Sequence, residues 1–205
     1  MESSIEKFIR EKTYSEETLE FLSENILSKS VKKGTILQKN GDTNIKGFYV
    51  KKGLLRSYII DKKGKEHIFA FAPEGWLATD VEVLVQSEAT LFIDALEDSE
   101  IEVLGEKLFT QSEQLSIKLL NEQVYKLINR INTLQKRILM LMSYSAQDRY
   151  EEFLKTYPQI VQRVPQKMIA SYLGVTPEAL STIRAKKNII KKQFTIIPIT
   201  RNRLF

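Results

Sequence analysis

The chain has no cysteine and a single histidine, His67, among its 205 residues. The first absence excludes disulfides, thiolate zinc sites and cysteine-ligated iron–sulfur clusters. The second leaves no histidine cluster for a metal and little material for general acid–base chemistry. Glycine-rich phosphate loops of the Gly-x-x-x-x-Gly-Lys type are also missing, so no catalytic class is supported. No apolar run approaches the roughly 18 residues needed to cross a bilayer. The first residues, MESSIEKFIREKTYSEE, are charged throughout and contain no signal-peptide core, which predicts a cytoplasmic protein with no membrane partner.

Acids are the other scarcity, and their absence is local. None occurs after Glu178. From Arg137 to Phe205 there are 12 Lys and Arg against 4 acids, a net of +8, whereas residues 1–136 carry 19 against 22, a net of −3. The surplus that gives the whole chain its +5 therefore lies in the C-terminal third, as expected of a surface that meets phosphate.

Within that third, VPQKMIASYLGVTPEALSTIRAKK at 164–187 reads as two short helices joined by a tight turn. Met168, Ile169, Tyr172 and Leu173 recur at helical spacing. Gly174 takes the turn, Thr176 is a good N-cap and Pro177 suits the first helical position. Ala179, Leu180 and Ile183 face inward in this reading, and the polar residues face outward. A helix-turn-helix of this form lays its second helix in the major groove. A plain αα-hairpin would show the same spacing but would not need the basic surroundings. Lys167, Thr176, Glu178, Ser181, Thr182, Arg184, Lys186 and Lys187 are the candidate DNA-binding residues.

Upstream, residues 2–28 read as two short amphipathic helices. Residues 31–104 change to short β-rich runs, at 34–37, 48–50, 54–60, 67–71, 91–95 and 101–104, separated by turns such as Asn40-Gly41-Asp42 and Asp61 to Gly64. Such spacing predicts a small antiparallel barrel or roll. A long helix follows over 112–143. Ile117, Leu120, Val124, Leu127, Ile131, Leu134, Ile138 and Leu141 step alternately by three and four, an a/d seam that favours pairing with a second copy. Leu119, Ile128, Leu139 and Met140 are free to pack the same helix on the roll. Two copies would read half-sites about 34 Å apart. The fold class is thus α+β: an N-terminal antiparallel β roll (residues 1–111, jelly-roll-like), a long dimerisation helix (112–144) and a C-terminal helix-turn-helix domain (145–205).

In that order these parts resemble the Crp/Fnr family of transcription regulators. The resemblance is carried by KKGTILQKNGD at 32–42, FYVKKGLLRSY at 48–58, DKKGKEHI at 61–68, DRYEEFLKTYPQI at 148–160 and IASYLGVTPEALSTIR at 169–184. The last is close to a pattern common in members from Bacteroidetes-type bacteria. The resemblance implies a homodimeric regulator with duplex DNA as partner, and RNA polymerase as a further one. It also implies a wing after the recognition helix, placed here at Phe194 to Thr200. The family's base-reading positions fall on Pro177, Glu178 and Thr182. Pro177 has no donor, and Thr182 stands where arginine is common.

The resemblance further implies a small-molecule pocket in the roll, whose matching stretch is GWLATDVEVLVQSEATLF at 75–92. Thr79-Asp80 stands where a Gly-Glu pair holds a ribose, and Ala89-Thr90 stands where an Arg and a small hydroxyl residue hold a cyclic phosphate. Ala89 cannot neutralise a phosphate, so control by cyclic AMP is not expected and no cofactor is predicted. Trp76, Thr79, Asp80, Ala89 and Thr90 remain the candidate effector pocket, with Phe69, Phe71 and Phe92 as apolar lining or plain core. An unknown effector and no effector both stay open. So does an alternative function, an effector-sensing or protein-interaction module with little DNA binding.

Overall fold

A computed structural model describes residues 15–44, 46–83, 87–111 and 117–195; the side chains at 118, 119, 122, 123 and 187–195 lie outside that description. The chain divides into two compact units, residues 1–137 and 138–205. The division falls inside the long helix.

The described part of the first unit begins with α1 (Glu16–Asn25), where the Ser15 hydroxyl accepts the Thr18 amide at 3.2 Å. Glu16 and Glu17 sit in its first turn, where the helix dipole favours negative charge. The expected helical reading through Ser28 is overturned, because strand β1 (Ile26–Val31) begins directly after α1. Only the two ends of β1 are buried, so it lacks the apolar alternation that marks a strand in sequence. The helix expected between Glu2 and residue 14 lies outside the described residues.

The strands β2 (Ile36–Gln38), β3 (Gly47–Lys52), β4 (Leu55–Ile60), β5 (Glu66–Ala72), β6 (Leu77–Thr79), β7 (Phe92–Ala95) and β8 (Ser99–Leu104) complete the roll. They form two four-stranded antiparallel sheets, ordered β1-β8-β3-β6 and β2-β7-β4-β5. Val31, Phe48, Val50, Leu55, Ala72, Ala78, Ile93, Ala95 and Ile101 make the buried core. Gly53 allows the β3–β4 corner to close. Its φ is +103°, and an added Cβ would lie 2.2 Å from the Ser99 hydroxyl oxygen. On β4, Arg56 lies opposite Asp94 of β7. Its Nε and Nη2 donate to the two Asp94 carboxylate oxygens at 2.9 Å each, Nη1 donates to Glu66, and the guanidinium covers the Tyr58 ring at 4.0 Å.

A short helix, α2 (Lys107–Thr110), leads toward α3 (Ile117–Ser143). Two arginines of α3, seven residues apart, fasten it to the roll. Arg130 donates to the carbonyls of Leu77 (3.4 Å) and Thr79 (3.1 Å), and Arg137 donates to those of Phe69 and Ile68 (3.1 Å to Ile68). Two turns of helix bring both side chains to one face. Of the apolar residues left free to pack on the roll, Ile128 and Leu139 are instead exposed, Met140 is buried, and the Leu119 side chain is outside the described set. The described contacts of α3 with the roll run through these two arginines.

Among the described residues, the second unit holds the end of α3 and three further helices, α4 (Ala146–Thr156), α5 (Gln166–Leu173) and α6 (Pro177–Thr195). Phe153, Tyr157 and Tyr172 pack with ring centres 5.4 to 5.9 Å apart. Ile160, Ile169, Leu173 and Leu180 are fully buried around them. The strand expected from Phe194 is overturned at its start: α6 continues through Thr195, and residues 196–205, including the remainder of the expected wing, lie outside the described residues.

Candidate nucleic-acid interface

α5 ends where Gly174 turns the backbone left-handed at φ +66°, ψ +36°. The Val175 amide then reaches back to the Ala170 carbonyl at 3.0 Å, closing the helix end as a Schellman turn does. Two residues on, the Thr176 hydroxyl accepts the Ala179 amide at 3.2 Å. Thr176 is therefore the N-cap of α6, with Pro177 as its first residue. Leu180 is fully buried and Ala179 and Ile183 are half-buried, which orients the helix.

The opposite face of α6 forms a shallow groove lined by Pro177, Glu178, Ser181, Thr182 and Ala185. Four of these five were singled out from the sequence; Ala185 was missed because a lone methyl carries no charge or hydrogen-bonding signal. The Glu178 carboxyl is held below the usual range by hydrogen bonds from its own amide and from the Thr176 hydroxyl. Thr182 donates its hydroxyl to the Glu178 carbonyl at 3.1 Å. Lys167 on α5 and Ser181 and Lys186 on α6 are exposed, and Arg184 is half-buried. Lys187 lies on the same helix with its side chain outside the described set.

Arg149 was not singled out from the sequence, and it braces this unit. Its Nε donates to the Tyr144 carbonyl (3.1 Å), Nη2 to Leu141 (2.8 Å) and Nη1 to Leu173 (3.1 Å). One guanidinium thus serves orphan carbonyls at the ends of α3 and α5. Nothing in the spacing of the sequence distinguishes it from a solvated surface charge.

Along α3, Ile117, Val124, Leu127, Ile131 and Ile138 are exposed, Ile131 by 56%, while Leu120 and Leu134 are half-buried. Tyr125, Ile128 and Met142 add to the exposed apolar surface. A row of branched aliphatics left in water on one helix is the kind of surface that marks association.

The candidate effector residues of the roll are drawn into local bonding. Asp80 is buried, and its carboxylate accepts the amides of Glu82 (3.0 Å), Thr90 (2.7 Å) and Leu91 (2.6 Å). Thr79 donates its hydroxyl to the Lys46 carbonyl at 3.0 Å, and Ala89 is buried. Thr90 is exposed, and Trp76 is 38% exposed. Burial lowers the pKa of Arg130, against the pull of nearby Asp80. Phe71 is core, Phe92 stacks on Tyr58 at 5.3 Å, and Phe69 lies under the Arg137 guanidinium at 5.7 Å. His67 pairs with Asp61 at 2.8 Å across the β4–β5 turn.

No family model matches the chain. Curated relatives do. The regulatory protein HlyX of Actinobacillus pleuropneumoniae is 28% identical over 190 residues, covering 84% of this chain and 78% of that protein. The fumarate and nitrate reduction regulatory protein of Yersinia pestis is 29% identical over 192 residues, covering 85% and 75%. That of Vibrio cholerae is 30% identical over 169 residues, covering 76% and 66%. Among solved structures, FixK2 from Bradyrhizobium japonicum shares the fold at a TM-score of 0.69 and 16% identity, over 87% of this chain and 90% of its own. A CRP/FNR-family transcriptional regulator from Thermus thermophilus shares it at a TM-score of 0.64 and 18% identity, over 78% and 84%. The chain thus shares the fold of solved CRP/FNR-family regulators and is similar in sequence to the curated regulatory proteins named above.

Proposed function

We propose that the protein acts as a homodimer that binds duplex DNA through α6 and regulates transcription. The observation that carries this reading is the exposed groove of α6. It sits on a helix capped by Thr176, behind a left-handed Gly174, and the same helix carries exposed Lys186 in a sequence with no acid beyond Glu178. Lys167, Arg184, Lys186 and Lys187 supply phosphate contacts that set register, and Glu178, Ser181 and Thr182 face the base edges. Thr176 both caps the helix and stands at the phosphate end.

Two copies pair through α3, with Ile117, Leu120, Val124, Leu127, Ile131, Leu134 and Ile138 in the seam. The charge and chemistry fit a cytoplasmic regulator that meets RNA polymerase on DNA, not an enzyme. No described helix is long and apolar enough to cross a membrane. Control by cyclic AMP does not fit the roll. Ala89 offers no cation for a phosphate, and Asp80 already serves three amides. Trp76, Thr79, Asp80, Ala89 and Thr90 stay the candidate residues for any other effector, and Arg130 of α3 bonds the Thr79 carbonyl.

Sedimentation of the purified protein with a duplex enriched from random sequence tests the reading. Two chains per duplex is the expected stoichiometry. A monomer that leaves every duplex unbound would overturn it.

A further inference from the structure

The reading groove of α6 has an unusual hydrogen-bonding inventory. Glu178 is held ionised by the helix start, so its carboxylate accepts and cannot donate. The Thr182 hydroxyl proton is spent on the Glu178 carbonyl at 3.1 Å, which leaves lone pairs and a methyl group. Pro177 and Ala185 contribute only carbon. Among the described lining residues, Ser181 alone has an uncommitted donor, and none is an arginine, lysine, asparagine or glutamine.

That inventory matches one pattern of the major groove. Guanine presents two acceptors and adenine an acceptor–donor pair, both read best by two-pronged groups that none of the described lining residues supplies. Thymine alone presents a methyl group there, and cytosine presents a lone donor. Exposed Lys186 and half-buried Arg184 beside the groove complement the phosphates on either side. Building on the reading of α6 as the DNA-contacting helix, we infer that Thr182, with Ala185 beside it, selects thymine through its 5-methyl group. Thr182 is then a specificity-determining residue that works by apolar contact.

The test uses the full-length protein and a tight-binding duplex selected from random sequence, with each thymidine replaced in turn by deoxyuridine. One position in each half-site should lose about fourfold in affinity on removal of that methyl. Thr182→Val keeps the methyl and should retain the thymine preference; Thr182→Ser keeps the hydroxyl and should lose it. Loss of the preference in the Val variant and retention in the Ser variant would overturn the inference in favour of hydroxyl readout. Equal affinity for thymine and uracil at every position in the wild-type protein would overturn it as well, while leaving DNA binding itself intact. Failure to bind any duplex at low salt would instead remove the reading on which it rests, and the inference with it.

Discussion

Arg149 donates to the Leu173 carbonyl at 3.1 Å, one residue before the left-handed Gly174 that opens the turn to α6. The same guanidinium holds the Leu141 and Tyr144 carbonyls. The end of the long helix and the start of the helix-turn-helix turn therefore share one donor. An alanine Cβ at Gly174 would come 3.4 Å from Leu141 and 3.5 Å from Nη1 of Arg149, so turn and brace are packed together.

Removing the brace should loosen the C-terminal unit as a whole. Arg149→Met keeps the aliphatic stem and leaves three helix-end carbonyls without this donor, at a cost of at least about 1.5 kcal/mol. Unfolding in urea should show the loss, with affinity falling alike for all duplexes. A midpoint equal to wild type would mean that water replaces Arg149 at no cost.

The turn makes a separate prediction. Gly174→Ala forces a side-chain-bearing residue into the left-handed region, which costs roughly 1–2 kcal/mol. Calorimetry should register a lower melting temperature, since the site itself has room for a methyl with only ordinary contacts. A higher melting temperature would show that the turn relaxes to another conformation.

The seam on α3 can be probed without touching the core. Leu127 and Ile131 are 53% and 56% exposed, so replacing both with Glu should leave the single chain folded. It should also put like charges across the pair and split the dimer in sedimentation equilibrium, with weaker DNA binding. An unchanged mass would refute the seam.

Contacts to phosphate and to bases should separate by their effects. Arg184→Ala with Lys186→Ala should weaken every duplex and flatten the salt dependence by about 1.8 in log–log slope per copy, at 0.9 per contact. Glu178→Ala should instead relax the preference at one base pair. Uniform weakening by Glu178→Ala would show that the carboxylate works only at the helix start, where it is bonded in the free protein.

Acid should act at the β4–β5 turn. Asp61 bonds His67 and the amides of Lys65 and Lys63, which hold its carboxyl at about 2, below the ordinary 3.8. Because the folded value is depressed, the contribution is fully present above 3.8 and disappears as the pH falls toward about 2. Asp61→Asn should flatten the stability profile across that window. A profile identical to wild type there would assign acid sensitivity to other carboxylates.

Much of this architecture is legible in the residues. Gly174, Thr176 and Pro177 announce the turn because each has one strong backbone preference, and the β4–β5 hairpin is announced by Asp61 and Gly64 in the same way. Strand β1 is not, because Ile26 and Val31 are buried while the four residues between them face water. The fastening of α3 is also hidden. Arg130 and Arg137 look like solvated charges in sequence, and only the fold brings them to carbonyls of β5 and β6. Asp80 was legible as a carboxylate in a loop, but its three amide partners come partly from ten residues further on.

The central claim is contact with duplex DNA by α6 of two paired copies, and its most direct test is affinity for a selected duplex as a function of salt. With Lys167, Arg184, Lys186 and Lys187 engaged in both copies, log affinity should fall against log salt with a slope of up to about −7, and appreciably steeper than −1. A flat dependence, or no binding at low salt, would contradict it.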